Sequence, residues 1–347
     1  MTPQKVLTAL DPQNIEKAAV ILKQGGLVAF PTETVYGLGA DAFNAKAVCR
    51  IFEAKKRPSF DPLIVHVSSP EEAYKLWLET PKVAKDLIKA FWPGPLTLVL
   101  PKSSLVPEVV TSGLPTVAVR MPKNETALSL IRALGHPIAA PSANLFGYTS
   151  PTLASHVWED LGENVDLVLD GGESSVGVES TVVKISPDGC TLLRPGAVTQ
   201  EEMEKITRFK KVSEKPEVLE SPGQLDAHYA PWTPLYFMEK PWGDRSKDVE
   251  AMLKTMEEKK QSPLRAGLLS FSSVPKSPLF ESVQVLSEKG DLVEAASNLF
   301  QAIRKLDKMN LDILFAEPVP EKGIGIAIMD RLRKASGGKY VEKHVLS

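Results

Sequence analysis

The sequence predicts an α/β protein of two domains: a twisted mixed sheet with surrounding helices, then a smaller doubly wound α/β domain. Three observations predict it. The 347 residues exceed what one ordinary core accommodates. Up to residue 208, short apolar runs and helical patterns alternate irregularly, which suits a mixed sheet better than a purely parallel one. After residue 234 strands and helices alternate regularly, the signature of a doubly wound unit.

In order, "DPQNIEKAAVILKQGG" reads as a helix: Asp11 caps it, Pro12 suits its first turn and Gly25-Gly26 ends it. "LVAF" is a short buried strand that stops at Pro31. A helix covers about Ala45 to Lys55 and a strand Pro62 to Val67. Helical patterns cover Glu71–Trp77 and Lys82–Phe91; "LTLVL" and "TVAVRM" are strands, "ETALSLIRAL" a helix and "PIAA" a strand running into Pro141. "DLVLD", "STVVKI" and "TLLR" complete a set of about seven strands. The stretch from Phe209 to Pro234 has four prolines, many charges and no period. Loops of that length are either disordered or functional. Beyond it, "LYFM", "AGLLSF", "VQVL" and "LDILFAE" are strands, with helices at about Asp248–Lys259, Leu292–Leu306 and Gly325–Ala335. The expected division is therefore 1–208, a linker at 209–234, and 235–347.

A net charge of −2, with neither half strongly basic, argues against broad electrostatic binding to nucleic acid or anionic membrane. Two cysteines, Cys49 and Cys190, make neither a disulfide framework nor a zinc site, and the five histidines lack metal-ligand spacing, so no resident metal is expected. "MTPQKVLTAL" lacks the apolar core of a signal peptide, and no apolar run approaches a membrane span. The expected location is cytoplasmic.

No P-loop and no G-x-S-x-G occur. "GLGADA" matches a dinucleotide fingerprint by letter but does not follow a strand directly, and is set aside. What remains is a set of hydroxyl-rich loops and arginines at strand ends: "FPTETVYGLG" with Thr32, Glu33, Thr34 and Tyr36; "APSANLFGYTSPT"; "GVESTVV"; "VAVRMP"; and "LRPGAV". To them is added the cation cluster of "EAKKRPSFDPLIVHV". Taken singly, Ser, Thr and Asn favour turns and caps, and a strand-end arginine is solvated. Together they are what a triphosphate site needs without a P-loop, because arginine forks and lysine neutralise phosphates while hydroxyls orient them. Lys55 and Arg57 are two apart, so an extended backbone would face both one way and Lys56 to solvent.

"FPTETVYGLGADA", "K-x-RP" before "PLIVHV", "APSAN..G..SPT", "ESTVV" and "LRPG" together resemble the YrdC-type threonylcarbamoyl-AMP synthases from about Val6 to Arg208. "SPGQLDAHYAP" and "GIGIAIMDRLRKAS" resemble the linker and Rossmann-like C-terminal domain of the long form. The resemblance implies a YrdC-like catalytic sheet and synthesis of L-threonylcarbamoyladenylate and pyrophosphate from L-threonine, bicarbonate or CO2, and ATP with Mg²⁺. It implies that a partner tRNA threonylcarbamoyltransferase moves the group onto adenosine 37 of tRNA; whether this chain touches tRNA is left open. By the same resemblance, Lys55, Arg57, Ser142 and Asn144 form the signature tetrad. Thr116, Ser150, Arg194 and, from the linker, Tyr229 contact the nucleotide. Thr34, His66, Arg120, the backbone of Ala140, and Ser180 hold threonine. Asp61 stands where members often carry Asn; an acid there lies beside phosphates, where helping to hold Mg²⁺ would give it a role.

Two readings compete. An RNA-binding module would use the basic face, but the net charge opposes it and the cations lie among hydroxyl loops instead of aromatic platforms. A carbamoyltransferase with a similar domain would bring zinc-finger and acylphosphatase segments, which the sequence lacks.

Overall fold

A computed structural model describes residues 5–210 and 221–341. Much of the unpatterned stretch after Phe209 thus lies outside the described residues. By its internal contacts the chain divides into two units, residues 1–146 with 150–224, and residues 147–149 with 225–347.

The first unit opens with β1 (Val6–Thr8), α1 (Pro12–Lys23) and β2 (Val28–Phe30). Asp11 caps α1 by accepting from the Gln13 N–H at 2.9 Å. Then come β3 (Gly37–Asp41), α2 (Ala45–Lys55), β4 (Ile64–His66), α3 (Pro70–Leu76) and α4 (Lys82–Phe91). Asn44 and Ser69 cap α2 and α3 in the same way. β5 (Leu96–Pro101), β6 (Thr116–Arg120), α5 (Glu125–Leu134), β7 (Ile138–Ala139) and α6 (Ala154–Leu161) follow. β8 (Leu167–Asp170), β9 (Thr181–Ser186), β10 (Gly189–Arg194) and the single-turn α7 (Gln200–Met203) complete the unit.

Among the described residues ten strands form one sheet, ordered β1-β8-β2-β3-β7-β4-β6-β5-β9-β10. It is mixed as expected: β4 runs parallel to β6 and antiparallel to β7, and β5 runs antiparallel to β6 and parallel to β9. Alternation sends Val28, Phe30 and Ile138 to one apolar cluster and Leu27, Ala29 and Ala139 to the other, so helices cover both faces. Four of these elements carry no expectation from the sequence: β1, β3, α6 and α7. β3 is the "GLGADA" segment. A Cβ on Gly39 would stand 2.7 Å from both Ile138 Cγ2 and Phe30 Cε1, so the glycine permits close approach to its neighbours and disguises a central strand as a turn.

The second unit contains β11 (Leu235–Phe237), α8 (Trp242–Lys260), β12 (Ala266–Ser270), β13 (Phe280–Val285), α9 (Leu292–Asp307), β14 (Ile313–Ala316) and α10 (Gly325–Ser336). Its strands, in the order β11-β14-β12-β13, are all parallel. Leu268, Phe315, Phe280, Val249 and Met252 form its core. Residues 147–149 belong to it through the Tyr148 hydroxyl, which donates to Asp307 at 2.8 Å, and the Gly147 carbonyl, which accepts from the Ala230 N–H at 2.8 Å.

Candidate active site

Strand ends and the loops after them converge at the middle of the large sheet. β4 and β6 are in register with His66 opposite Arg120, and His66 also stands opposite Ile138 of β7. The Ala140 N–H donates to the Ile64 carbonyl at 2.9 Å. Arg120 is buried, and its Nη1 donates to Thr34 Oγ1 at 2.9 Å. Its Nη2 lies 2.7 Å from Glu33 Oε2. The Thr34 hydroxyl also meets that of Thr32 at 2.9 Å. Burial, and then the neighbouring Arg120 charge, hold the His66 imidazole neutral, with its pKa lowered to about 3. Its Nδ1 is buried and makes no hydrogen bond. A neutral ring, a guanidinium and a threonine hydroxyl on one buried wall suit a small zwitterion with a hydroxyl of its own.

Lys55 is the last residue of α2 and is buried. Its Nζ donates to the Ser142 carbonyl at 2.6 Å and to the Asn144 carbonyl, which ties the 142–144 loop to the helix end. That uses two of the three N–H bonds of an ammonium. Burial, reinforced by Arg57, pulls its pKa well below that of an ordinary lysine. The backbone here is not extended, contrary to the sequence reading. Lys56 adopts φ +52 in the left-handed region and caps the helix, and this turn puts Lys55 and Arg57 inside while Lys56 faces solvent.

Arg57 donates through Nε to the Asp61 carbonyl at 3.1 Å and through Nη2 to the Pro62 carbonyl at 3.0 Å. Nη2 also lies 2.9 Å from Asp61 Oδ2, with both side chains buried. Burial raises the Asp61 pKa, against the lowering pull of Arg57 and Lys55.

Ser180 stands just before β9. Its hydroxyl meets Thr97 Oγ1 at 2.8 Å and accepts from Arg194 Nη2 at 3.1 Å. Arg194 Nε donates to the Ser180 carbonyl at 3.0 Å and Nη1 to the Pro222 carbonyl at 3.2 Å. A Cβ on Gly196 would lie 2.3 Å from the Thr181 nitrogen and 2.6 Å from the Glu179 carbonyl oxygen. The "RPG" turn therefore packs bare backbone against the Ser180 segment, which only glycine permits. The Ser150 hydroxyl donates to the buried carboxylate of Glu179.

Thr116 and Tyr229 are the remaining candidates. Thr116 opens β6 and Arg120 closes it, which separates them by roughly 13 Å of strand. Tyr229 is buried in the second unit at φ +65, its ring 5.6 Å from Phe300 and 5.1 Å from the Arg331 guanidinium. Glu33, named in its loop but given no role from the sequence, and Glu179, not named there, stand among these groups. Glu33 sits in a loop read for its hydroxyls, and a lone glutamate is normally solvated. Among the described residues no group of three His, Cys, Asp or Glu stands close enough to hold a metal ion, and no helix is long and apolar enough to cross a membrane.

Residues 20–196 match the family described as Telomere recombination, the Sua5–YciO–YrdC group. Residues 198–337 match the family described as Threonylcarbamoyl-AMP synthase, C-terminal domain. A threonylcarbamoyl-AMP synthase of Pyrococcus abyssi is 44% identical, over 96% of this chain and 97% of the relative. One of Bacillus subtilis is 43% identical, over 96% of each. Among solved structures, P. abyssi Sua5 complexed with L-threonine aligns with TM-score 0.87 and 44% identity, covering 95% of this chain and 96% of that one. These proteins are what the chain is similar to along nearly its whole length.

Proposed function

The chain belongs to the threonylcarbamoyl-AMP synthase family in its two-domain form, and from that premise we infer that it makes threonylcarbamoyl-AMP and pyrophosphate from L-threonine, bicarbonate or CO2, and ATP. The observation that carries this reading is near-full-length likeness to a protein solved with L-threonine, joined to a buried arginine on the matching fold.

The reaction needs two bond-forming steps. The free amine of threonine forms a carbamate, and a carbamate oxygen then displaces pyrophosphate from the α-phosphorus of ATP. Neither step requires a covalent enzyme intermediate, so catalysis rests on positioning and on neutralising charge. Arg120 would grip the α-carboxylate bidentately. Thr34, Ser180 and the His66 Nδ1 are the groups available to bond the threonine hydroxyl and amine, with the Ala140 backbone beside them. A site that hydrogen-bonds the hydroxyl discriminates against alanine.

On the nucleotide side, Lys55 keeps one N–H for a phosphate oxygen while fixing Ser142 and Asn144. Arg57 supplies a second cation, oriented by Asp61. Ser150, through its bond to Glu179, and Arg194, through Ser180, frame the same loops. Mg²⁺ would enter as part of MgATP, held mostly by phosphate oxygens and water as is usual for that ion.

The product is a mixed anhydride that water destroys, so a tRNA threonylcarbamoyltransferase must take it up promptly. A cytoplasmic location beside ATP and tRNA would serve that transfer. Purified protein given ATP, threonine and bicarbonate should yield threonylcarbamoyl-AMP by mass spectrometry, dependent on all three. Pyrophosphate release without threonine, or no adduct at all, would refute the assignment.

A further inference from the structure

We propose that Glu33 occupies the substrate-carboxylate site on Arg120 in the empty enzyme and, once displaced, accepts the proton from the threonine ammonium. This rests on the reading of the site given above. Glu33 is 7% exposed, and its Oε2 meets Arg120 Nη2 at 2.7 Å. Yet neither Glu33 oxygen makes a hydrogen bond, and Arg120 Nε and Nη2 are buried without one. Two opposite charges touch while most of their directional bonding capacity goes unused. A guanidinium grips a carboxylate best through two parallel N–H bonds. A free α-carboxylate can adopt that geometry; one tethered to the Glu33 backbone does not reach it here.

The backbone on either side is pinned. The Glu33 carbonyl accepts from the Val176 N–H at 2.8 Å and the Thr34 carbonyl from the Gly177 N–H at 3.2 Å. The side chain can therefore rotate away without moving the loop. The substrate amine lies one carbon from the carboxylate on Arg120, so the displaced Glu33 stays beside it.

Binding itself then makes Glu33 a base. Once the substrate carboxylate takes over Arg120, the buried Glu33 carboxylate has lost the cation it faced, and accepting the ammonium proton relieves that uncompensated charge. The charged group in contact with it is Arg120 on β6; His66, in register with Arg120 on β4, stays neutral. The ammonium gives one proton to Glu33. The neutral amine forms the N–C bond to bicarbonate carbon, the C–OH bond breaks, and hydroxide leaves as water with the second amine proton.

The test pairs threonine calorimetry with turnover for the parent protein, Glu33→Gln and Glu33→Asp. In Glu33→Gln, threonine should bind at least as tightly as in the parent, because the competing charge is gone. Its kcat should fall by about a hundredfold or more. That residual rate should climb roughly tenfold per pH unit while the amine remains mostly protonated, with the parent profile flatter. Glu33→Asp, whose carboxylate is one methylene short, should bind threonine normally and turn over at an intermediate rate. It decides the matter if Glu33→Gln does not fold. Weaker threonine binding in Glu33→Gln, parent-like kcat in either variant, or an unchanged pH profile would overturn the proposal. No adduct from the parent protein would defeat the assigned function instead.

Discussion

At the scale of single residues, the function proposed above gives Arg57 two separable roles. It faces Asp61 at 2.9 Å with both side chains buried, so Arg57→Ala leaves a buried carboxylate without its cation. We expect a destabilisation of about 3–5 kcal/mol together with loss of activity. Arg57→Met combined with Asp61→Asn removes both charges and should recover most of the stability, read by urea unfolding, but none of the adduct synthesis. Activity in the folded double variant would take Arg57 off the phosphates. His66 supplies a pH dependence. Its folded pKa of about 3 lies below its ordinary 6.5, so the unfolded chain binds the proton first as pH falls. The His66 contribution is complete above pH 6.5 and is lost toward pH 3, by about 1.4 kcal/mol per unit. His66→Gln should flatten the fall in urea midpoint between pH 6.5 and 5; parallel slopes for variant and parent would contradict a neutral buried ring.

At the scale of elements, β9 and β10 with the turn after them act as one device. Gly196 lies against the backbone at 179–181, and Arg194 holds Ser180 by backbone and hydroxyl. Gly196→Ala adds a methyl where no space exists, so the Ser180 segment must shift. Overpacking of this kind costs about 1–3 kcal/mol. Threonine affinity, measured by calorimetry, should fall along with stability; normal affinity would separate the turn from the site. Most elements were legible in the sequence because caps and periodicity mark them: Asp11, Asn44 and Asn124 each cap the helix they precede. β3 was not, because its glycines answer to neighbouring strands, which a local reading does not see. The loops carrying Thr34, Ser142 and Ser180 were read as candidate chemistry from their hydroxyls. Glu33 was named in one of them, but its pairing was not legible, because Arg120 stands 87 positions away (120 − 33) and only the sheet order brings them together. The K-x-R spacing pointed to two cations that the structure buries together, but a helix end and a left-handed cap bring that about, where an extended segment was expected.

At the scale of the whole molecule, the segment carrying Tyr229 poses the remaining question. Tyr229 stacks near Phe300 and Arg331. The nucleotide contact that the sequence resemblance implies for it predicts ligand-dependent behaviour. ATP with threonine should slow limited proteolysis within 221–231, and Tyr229→Ala should reduce adduct yield while leaving that protection weaker. Equal cleavage with and without ligands, together with full activity of the variant, would leave Tyr229 a packing residue alone. The short stretch 147–149, which precedes Ser150, has a consequence in time as well as space. The Thr149 carbonyl accepts from Arg304, 155 positions later, and Tyr148 awaits Asp307, 159 positions later. On the ribosome those partners emerge on the order of ten seconds or more after the loop itself. The large sheet can close early, but the loop beside Ser150 gains its last contacts only when α9 has been synthesised. A nascent chain halted before α9 would have every strand of the large sheet in hand while 147–149 still lacked Arg304 and Asp307, so the order of synthesis leaves that short stretch to settle late.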